Sequence, residues 1–491
     1  LLVVFAVWQF LHLGGYRWDW DEGVYALTAR SVAEGNRLYA DIFCTAPPLF
    51  IASLSLGFQV AGDTIPVGRA VVVLYSSLGL LGVGLLAREW GGRLAGLVAV
   101  VVLAVAPHFY ILSRVIIADM PSLGLSCLAL WMAVRYGRTG HRRWLVASGL
   151  TLAWGMLIKL TAGLVAPVIV VLVLIWDLDR AWRKRSELVP ALRRVGTSSL
   201  ILGASVLVPL AACLVLYPWR LLLDQVASWL WTQQETFVPD WTANVETVCK
   251  YLVLDNFNIA LNRGLTMLGL AGGIALFYRS RKDALIWWLW LLIILVVLVS
   301  YAPLWPHLLS PALFPLAVGA GVAAGALYRL IREGRDAGWA VGRVALVGLL
   351  AVALLAYVYD WPRIVTENGR RGRAPGGGAF EPAVEFVEQH TAPDDYVITD
   401  EPLLAFYAER RVPPNLIDCS IVRIAIGRLT AADLIRETES RSPSAIVLWK
   451  GSRFSTYLSD YVEWFESRYT LGWERGKGER IYLVPEATES R

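Results

Sequence analysis

Long apolar runs recur along this chain as far as Tyr359, and they fix its class before any motif is considered. A run of about 20 apolar residues satisfies its backbone in hydrocarbon only as a helix. Such runs fall near 1–13, 66–87, 94–112, 120–136, 144–158, 161–176, 197–217, 263–278, 284–302, 307–328 and 340–359. Together they predict about eleven transmembrane helices, given the blurred ends of such runs. The first opens inside an apolar stretch at Leu1, without Met, and reads as a truncated span. The composition agrees: 56% of residues are hydrophobic and only 17% charged, too few charges for a soluble chain of this size. The 22 tryptophans suit membrane–water interfaces. Five cysteines without CxxC spacing argue against a thiolate zinc site. Cys127 and Cys213, inside apolar runs, read as packing residues, and spacing leaves a Cys44–Cys249 bridge open.

Charge in the connecting segments sets an orientation. Arginine and lysine cluster near 88–93, 135–143, 180–194, 279–282 and 329–343. The alternate segments, 14–65, 113–119, 218–262 and 301–306, hold few basic residues and many Asp, Glu and Trp. Basic loops stay cytoplasmic, so the N-terminus is expected inside and everything after about residue 360 outside. The apolar stretch 47–61 is short for a crossing and reads as a helix lying in the interface.

Beyond a Gly- and Arg-rich linker at 370–378 (361–379 in its widest extent) the pattern changes. Helices are predicted over 382–390, 402–410, 430–440 (capped by Thr430) and 454–468, with strands over 396–399, 445–449 and 480–484. The fold class expected is therefore an α-helical polytopic membrane protein over 1–360 with a small C-terminal α/β extracytoplasmic domain over 380–491. No glycine-rich phosphate fingerprint opens any helix of that domain, which argues against nucleotide binding.

Ionisable groups at membrane depth are costly and mark function. Asp19, Asp21, Glu22, Asp41, Arg114, Asp119, Lys159 and His307 are far apart in sequence, yet the expected topology puts all of them at one surface. Asp21 and Glu22 precede a helix predicted over 23–34, where acids favour the N-terminus. Flanking Trp18 and Trp20 place the pair in the interface, where partial desolvation makes a carboxylate a better general base. Arg114 and Asp119 bracket a short turn before Pro121, and a capping Asp with a snorkelling Arg is the plain structural alternative. Lys159 and His307 each stand where a span meets the surface. No two histidines share a helix face, so a His-based metal site is weak, while a cluster of acids remains able to hold a divalent cation. The chemistry this set suits is transfer from a lipid phosphate: Arg114, Lys159 and His307 neutralise the leaving phosphate, and Asp21 or Asp119 takes a proton from an acceptor hydroxyl.

Four stretches carry a resemblance. Asp21-Glu22 with Tyr25 is similar to a first-loop acid motif, and Gly35-Asn36-Arg37-Leu38-Tyr39, leading to Asp41 and Pro47-Pro48-Leu49, is similar to the segment that follows it. Ser113-Arg114 with Asp119-Met120-Pro121 resembles a second acid motif, and Lys159 with Pro306-His307-Leu308-Leu309-Ser310-Pro311 resembles later donor-site motifs. In this order they resemble the polyprenyl- or dolichyl-phosphate-sugar glycosyltransferases of the C-type fold, which include the protein O-mannosyltransferases and the lipid A aminoarabinose transferases. The resemblance spans roughly 1–360. It implies that Asp21 activates the acceptor, that Glu22 and Asp119 shape the site, that Tyr25, Tyr39 and Asp41 line it, and that basic residues hold the donor phosphate. The implied partners are a polyprenyl-phosphate sugar donor, an acceptor protein, lipid or glycan, and membrane lipid. Relatives often carry Lys immediately before Pro-Pro-Leu; Ala46 stands here, so that phosphate contact falls to Lys159 or Arg114. The rival from another class is a lipid-linked sugar flippase or transporter, which would place charges near the midplane in paired halves; the charges here hug one surface and no internal repeat is seen. A sensor with a ligand-binding outer domain would leave Asp21, Asp119 and Lys159 without a role.

Overall fold

The computed structural model describes residues 1–15, 20–183, 188–254, 262–333, 341–372, 380–449, 452–476 and 478–485. Among them, six helices are long and apolar enough to cross a membrane: Ile65–Gly91, Leu160–Arg183, Val189–Leu216, Arg281–Ser300, Pro306–Arg332 and Val347–Gly369. The apolar helices Pro48–Ala61, Arg93–Val105 and Arg143–Ile158 are shorter.

Proline and backbone breaks account for much of the difference from the sequence reading. The run at 94–112 is divided at Ala106, whose ψ of 121° precedes Pro107 at the start of a new helix, Pro107–Leu112. Proline pushes its predecessor out of the helical region. Leu160–Val165 and Pro306–Ala312 are 3₁₀ turns that lead into Ala166–Arg183 and Leu313–Glu333. The last apolar helix continues through Val341–Gly372 into the stretch read as a linker, and 373–379 lie outside the described residues.

The chain divides into two compact units, one formed by Leu1–Leu13, Arg69–Val215 and Pro239–Arg373, the other by Gly14–Gly68, Leu216–Val238 and Ala374–Arg491. In the first unit, Leu313–Glu333 is largely buried and packs on both Arg93–Val105 and Arg263–Arg279. The approach to Arg263–Arg279 is backbone to backbone: a Cβ on Gly272 would lie 1.8 Å from the Gly319 carbonyl oxygen. Helix contacts of this kind in lipid rest on small residues, because hydrocarbon offers no hydrophobic drive to association.

The second unit contains the only sheet among the described residues, in the order β1-β2-β4-β3: β1 Val397–Thr399, β2 Ala445–Leu448, β3 Thr470–Arg475 and β4 Glu479–Leu483. β1 and β2 pair in parallel with Val397 opposite Ala445; β4 runs antiparallel to both β2 and β3. β1 and β2 are wholly buried, hence their unbroken apolar runs. Thr430 closes a capping box with Asp433 at the start of Ala431–Arg441, as its side chain predicts. The single helix expected over 454–468 is two, Arg453–Tyr457 and Ser459–Glu466, separated at Leu458 by a non-helical ψ of 50°. All five cysteines are free thiols.

Candidate active site

In the first unit the turn 113–118 joins Pro107–Leu112 to Asp119–Thr139. Asp119 makes no cap hydrogen bond; its carboxylate accepts instead from Lys159 Nζ at 2.8 Å. Lys159 stands at the break after Arg143–Ile158, where its extended backbone (φ −156°, ψ 135°) ends the helix. The pair is unequal: the Asp119 side chain is 4% exposed and that of Lys159 21%.

Arg114 is buried, 1% exposed. Its Nη1 lies 3.4 Å from Gln9 Oε1, and its guanidinium stacks on the Tyr110 ring at 4.9 Å. Its Nη2 has no hydrogen-bond partner among the described residues. Gln9, on the Leu2–Phe10 helix, also donates to the Tyr110 carbonyl and to Ser113 Oγ, both at 2.9 Å, so the first helix fixes this turn. A second buried arginine, Arg69, donates to the Leu13 carbonyl at 2.6 Å and lies near enough for its charge to act on Arg114. His307 is buried in the Pro306–Ala312 turn, which packs on both Pro107–Leu112 and Asp119–Thr139. Ser310 of that turn has a buried hydroxyl without a partner among the described residues. The first unit therefore gathers the elements bearing Arg114, Asp119, Lys159 and His307. A buried cation with an unspent donor is suited to take an anionic oxygen.

In the second unit Asp21 and Glu22 occupy the first turn of the helix Trp20–Ala33, with Glu22 fully buried and Asp21 partly exposed. Asp19 lies outside the described residues. Tyr25 meets Phe50 edge to face at 5.1 Å. Tyr39 is buried with a left-handed φ of 68°, donates its hydroxyl to the Ala46 carbonyl at 2.8 Å, and receives Gln225 Nε2 on its own carbonyl at 2.8 Å. Gln225 Oε1 also accepts from Cys44 N at 2.9 Å, so one amide braces both ends of this loop. Asp41 accepts from the Arg37 backbone N–H at 2.8 Å and pairs with its guanidinium at 2.9 Å. Those bonds hold its carboxyl down at about 2. Among the described residues no group of three His, Cys, Asp or Glu side chains is placed to hold a metal ion.

Gln9 and Arg69 were not among the residues the sequence singled out, and Ser310 stood only within the quoted stretch 306–311. Arg69 had a signal: it is the lone charge early in an apolar run, and such charges are costly in lipid.

Residues 45–208 match the model of the dolichyl-phosphate-mannose-protein mannosyltransferase family. No curated protein matches by sequence. Among solved structures, ArnT from Cupriavidus metallidurans bound to undecaprenyl phosphate is similar with a TM-score of 0.65 at 16% identity, covering 98% of this chain and 96% of that one. The oligosaccharyltransferase AglB from Archaeoglobus fulgidus, in complex with an inhibitory peptide and a dolichol-phosphate, is similar with a TM-score of 0.53 at 16% identity, covering 99% of this chain and 74% of that one. The chain is a multi-pass membrane protein with the C-type glycosyltransferase fold.

Proposed function

We propose that the protein is an integral membrane glycosyltransferase that moves a sugar from a polyprenyl-phosphate donor to an acceptor hydroxyl. The observation that carries this reading is Arg114: buried, with a guanidinium donor unspent, and within the 45–208 stretch that matches the mannosyltransferase family. The acceptor oxygen attacks the anomeric carbon as the bond from that carbon to the phosphate oxygen breaks. Polyprenyl phosphate leaves with the electron pair, and Asp21 takes the acceptor proton. One displacement inverts the anomeric centre. Arg114 and Lys159, with Arg69 and His307 in support, take up the charge that develops on the phosphate. Ala46 supplies no cation, which places more of that task on them. Glu22 and Asp119 shape the site, and Tyr25, Tyr39 and Asp41 form its polar and aromatic border. The alternation of basic and acidic loops supports a cytoplasmic N-terminus, with the acceptor and the C-terminal domain outside the cytoplasm.

The test uses purified protein in nanodiscs, undecaprenyl phosphate carrying a radiolabelled sugar from a small panel, and envelope membranes as acceptor. Wild type releases undecaprenyl phosphate and labels the acceptor. Asp21→Asn loses about 10²–10⁴-fold in turnover, the range for a general base, while undecaprenyl phosphate binds as before. Near-normal turnover in Asp21→Asn refutes the assignment of the base. Transbilayer movement of intact lipid without release of sugar refutes the enzyme.

A further inference from the structure

We propose that the C-terminal α/β fold is a working part of the transfer machinery, because it clamps the first turn of the acid-bearing helix Trp20–Ala33. The proposal rests on the reading of Asp21 as the base. It draws only on contacts within the second unit.

Three pins hold that helix. The first is at Trp20, whose indole N–H donates to the backbone carbonyl of Asp400 at 2.8 Å. Arg453 Nη1 donates to the same carbonyl at 3.0 Å, and its guanidinium lies 4.2 Å from the Trp20 ring centroid. One carbonyl thus fixes both partners of a cation–π stack. The carbonyl is itself immobilised: the buried Asp400 carboxylate accepts from the backbone N–H groups of Trp449 and Arg453, each at 2.9 Å. Asp400 follows β1 and Trp449 follows β2, so the sheet ends directly at this pin.

The second pin is at Gly23, where a Cβ would lie 2.3 Å from Leu403 N and 2.8 Å from Leu403 Cα. Backbone meets backbone there, and no side chain can bend aside. The third is at Arg30, whose guanidinium stacks on Phe406 at 3.7 Å and donates to the Phe406 carbonyl at 3.2 Å. Trp20 and Gly23 are three residues apart and share a helix face. Asp21 and Glu22 sit between them, so a shift of either pin displaces the acids. A misplacement of about 1 Å at a reacting group can cost about 10²-fold in rate.

Trp20, Gly23 and Arg453 are therefore positioning residues. The experiment uses the full chain in nanodiscs with Trp20→Phe, Gly23→Ala, Arg453→Ala and Arg453→Lys. Trp20→Phe keeps a ring for the stack but removes the N–H donor. Turnover at saturating donor is expected to fall about 10–100-fold in the first three variants, with undecaprenyl phosphate affinity within twofold of wild type. Arg453→Lys recovers part of the Arg453→Ala loss by restoring the cation over the ring. Amide hydrogen exchange across 20–33 speeds up in the first three variants, while exchange across 65–139 is unchanged. Should Gly23→Ala fail to fold, Trp20→Phe carries the same test. Wild-type turnover in Trp20→Phe and Arg453→Ala beside an inactive Asp21→Asn overturns the clamp and leaves the function standing. Unchanged exchange across 20–33 overturns it on structural grounds alone. A fully active Asp21→Asn overturns the assigned base, and with it the purpose of the clamp.

Discussion

The Asp119–Lys159 pair makes an unequal prediction, because its two members are unequally buried. Replacing Lys159 with Met strands a carboxylate whose side chain is 4% exposed. Breaking a buried ion pair in this way costs about 3–5 kcal/mol. Replacing Asp119 with Asn leaves an ammonium on a flexible stem, 21% exposed and able to reach water, at a cost nearer the ~1 kcal/mol of surface pairs. The double replacement, Lys159→Met with Asp119→Leu, removes both charges and recovers most of the single loss, since apolar substitutes for buried pairs are often neutral or better. At roughly 2 °C per kcal/mol, Lys159→Met lowers the thermal midpoint by about 6–10 °C and Asp119→Asn by about 2 °C. Tryptophan fluorescence in nanodiscs at one scan rate reads these shifts, because unfolding of such proteins is commonly irreversible. Binding of undecaprenyl phosphate supplies the second readout. Asp119→Asn removes a carboxylate that competes with an anion for the Lys159 ammonium. Two unit charges 4 Å apart exchange about 4 kcal/mol at an effective dielectric of 20, and a quarter of that strengthens binding about fivefold. Lys159→Met weakens it. Equal destabilisation by the two single replacements, or weaker lipid phosphate binding in Asp119→Asn, would refute the reasoning.

Two further outcomes test the packing and the topology. Gly272→Ala places a methyl group against the Gly319 carbonyl, where neither helix backbone can yield, at or above the upper end of the ~1–3 kcal/mol for overpacking. Gly203→Ala, with nothing within 4 Å of its Cβ position, is the control; size-exclusion profiles should show aggregation in the first and a monodisperse peak in the second. Cys249 is the one exposed cysteine, the other four being buried, so a membrane-impermeant maleimide added to intact cells labels it if 218–262 faces outward. Labelling only after permeabilisation reverses the proposed orientation.

What the sequence made legible is what depends on neighbours a few residues away. The Thr430 cap, the acids Asp21 and Glu22 at a helix N-terminus, and the buried strands β1 and β2 are written in local pattern, although that helix starts at Trp20 rather than after the acids. β3 escaped because Thr470–Arg475 is mostly exposed and carries a glycine, so neither alternation nor an apolar run marks it. The structural alternative for Asp119, a helix cap, failed for a related reason. Residue type and a following proline suggest a cap, but the partner it chose is Lys159, 40 positions away at the break after another helix, and no period reports that distance.

The same limit explains why the contacts that hold the acid-bearing helix Trp20–Ala33 could not be read in advance. The bond from Trp20 reaches Asp400, 380 positions on, and it ends on a backbone carbonyl that any residue could provide. A sequence shows that Asp400 has a carboxylate; it does not show that this carboxylate spends itself on the N–H groups of Trp449 and Arg453 and so freezes the carbonyl beside it. Gly23 is silent for the opposite reason. Beside Glu22 it reads as a helix-weakening residue that costs about 0.5–1 kcal/mol against alanine. In the fold it permits the contact with Leu403 that no larger residue allows. An alanine there would improve the isolated helix while moving the acids it carries. Intrinsic helix propensity and turnover should therefore change in opposite directions at this position, which a purely structural role for the glycine would not require.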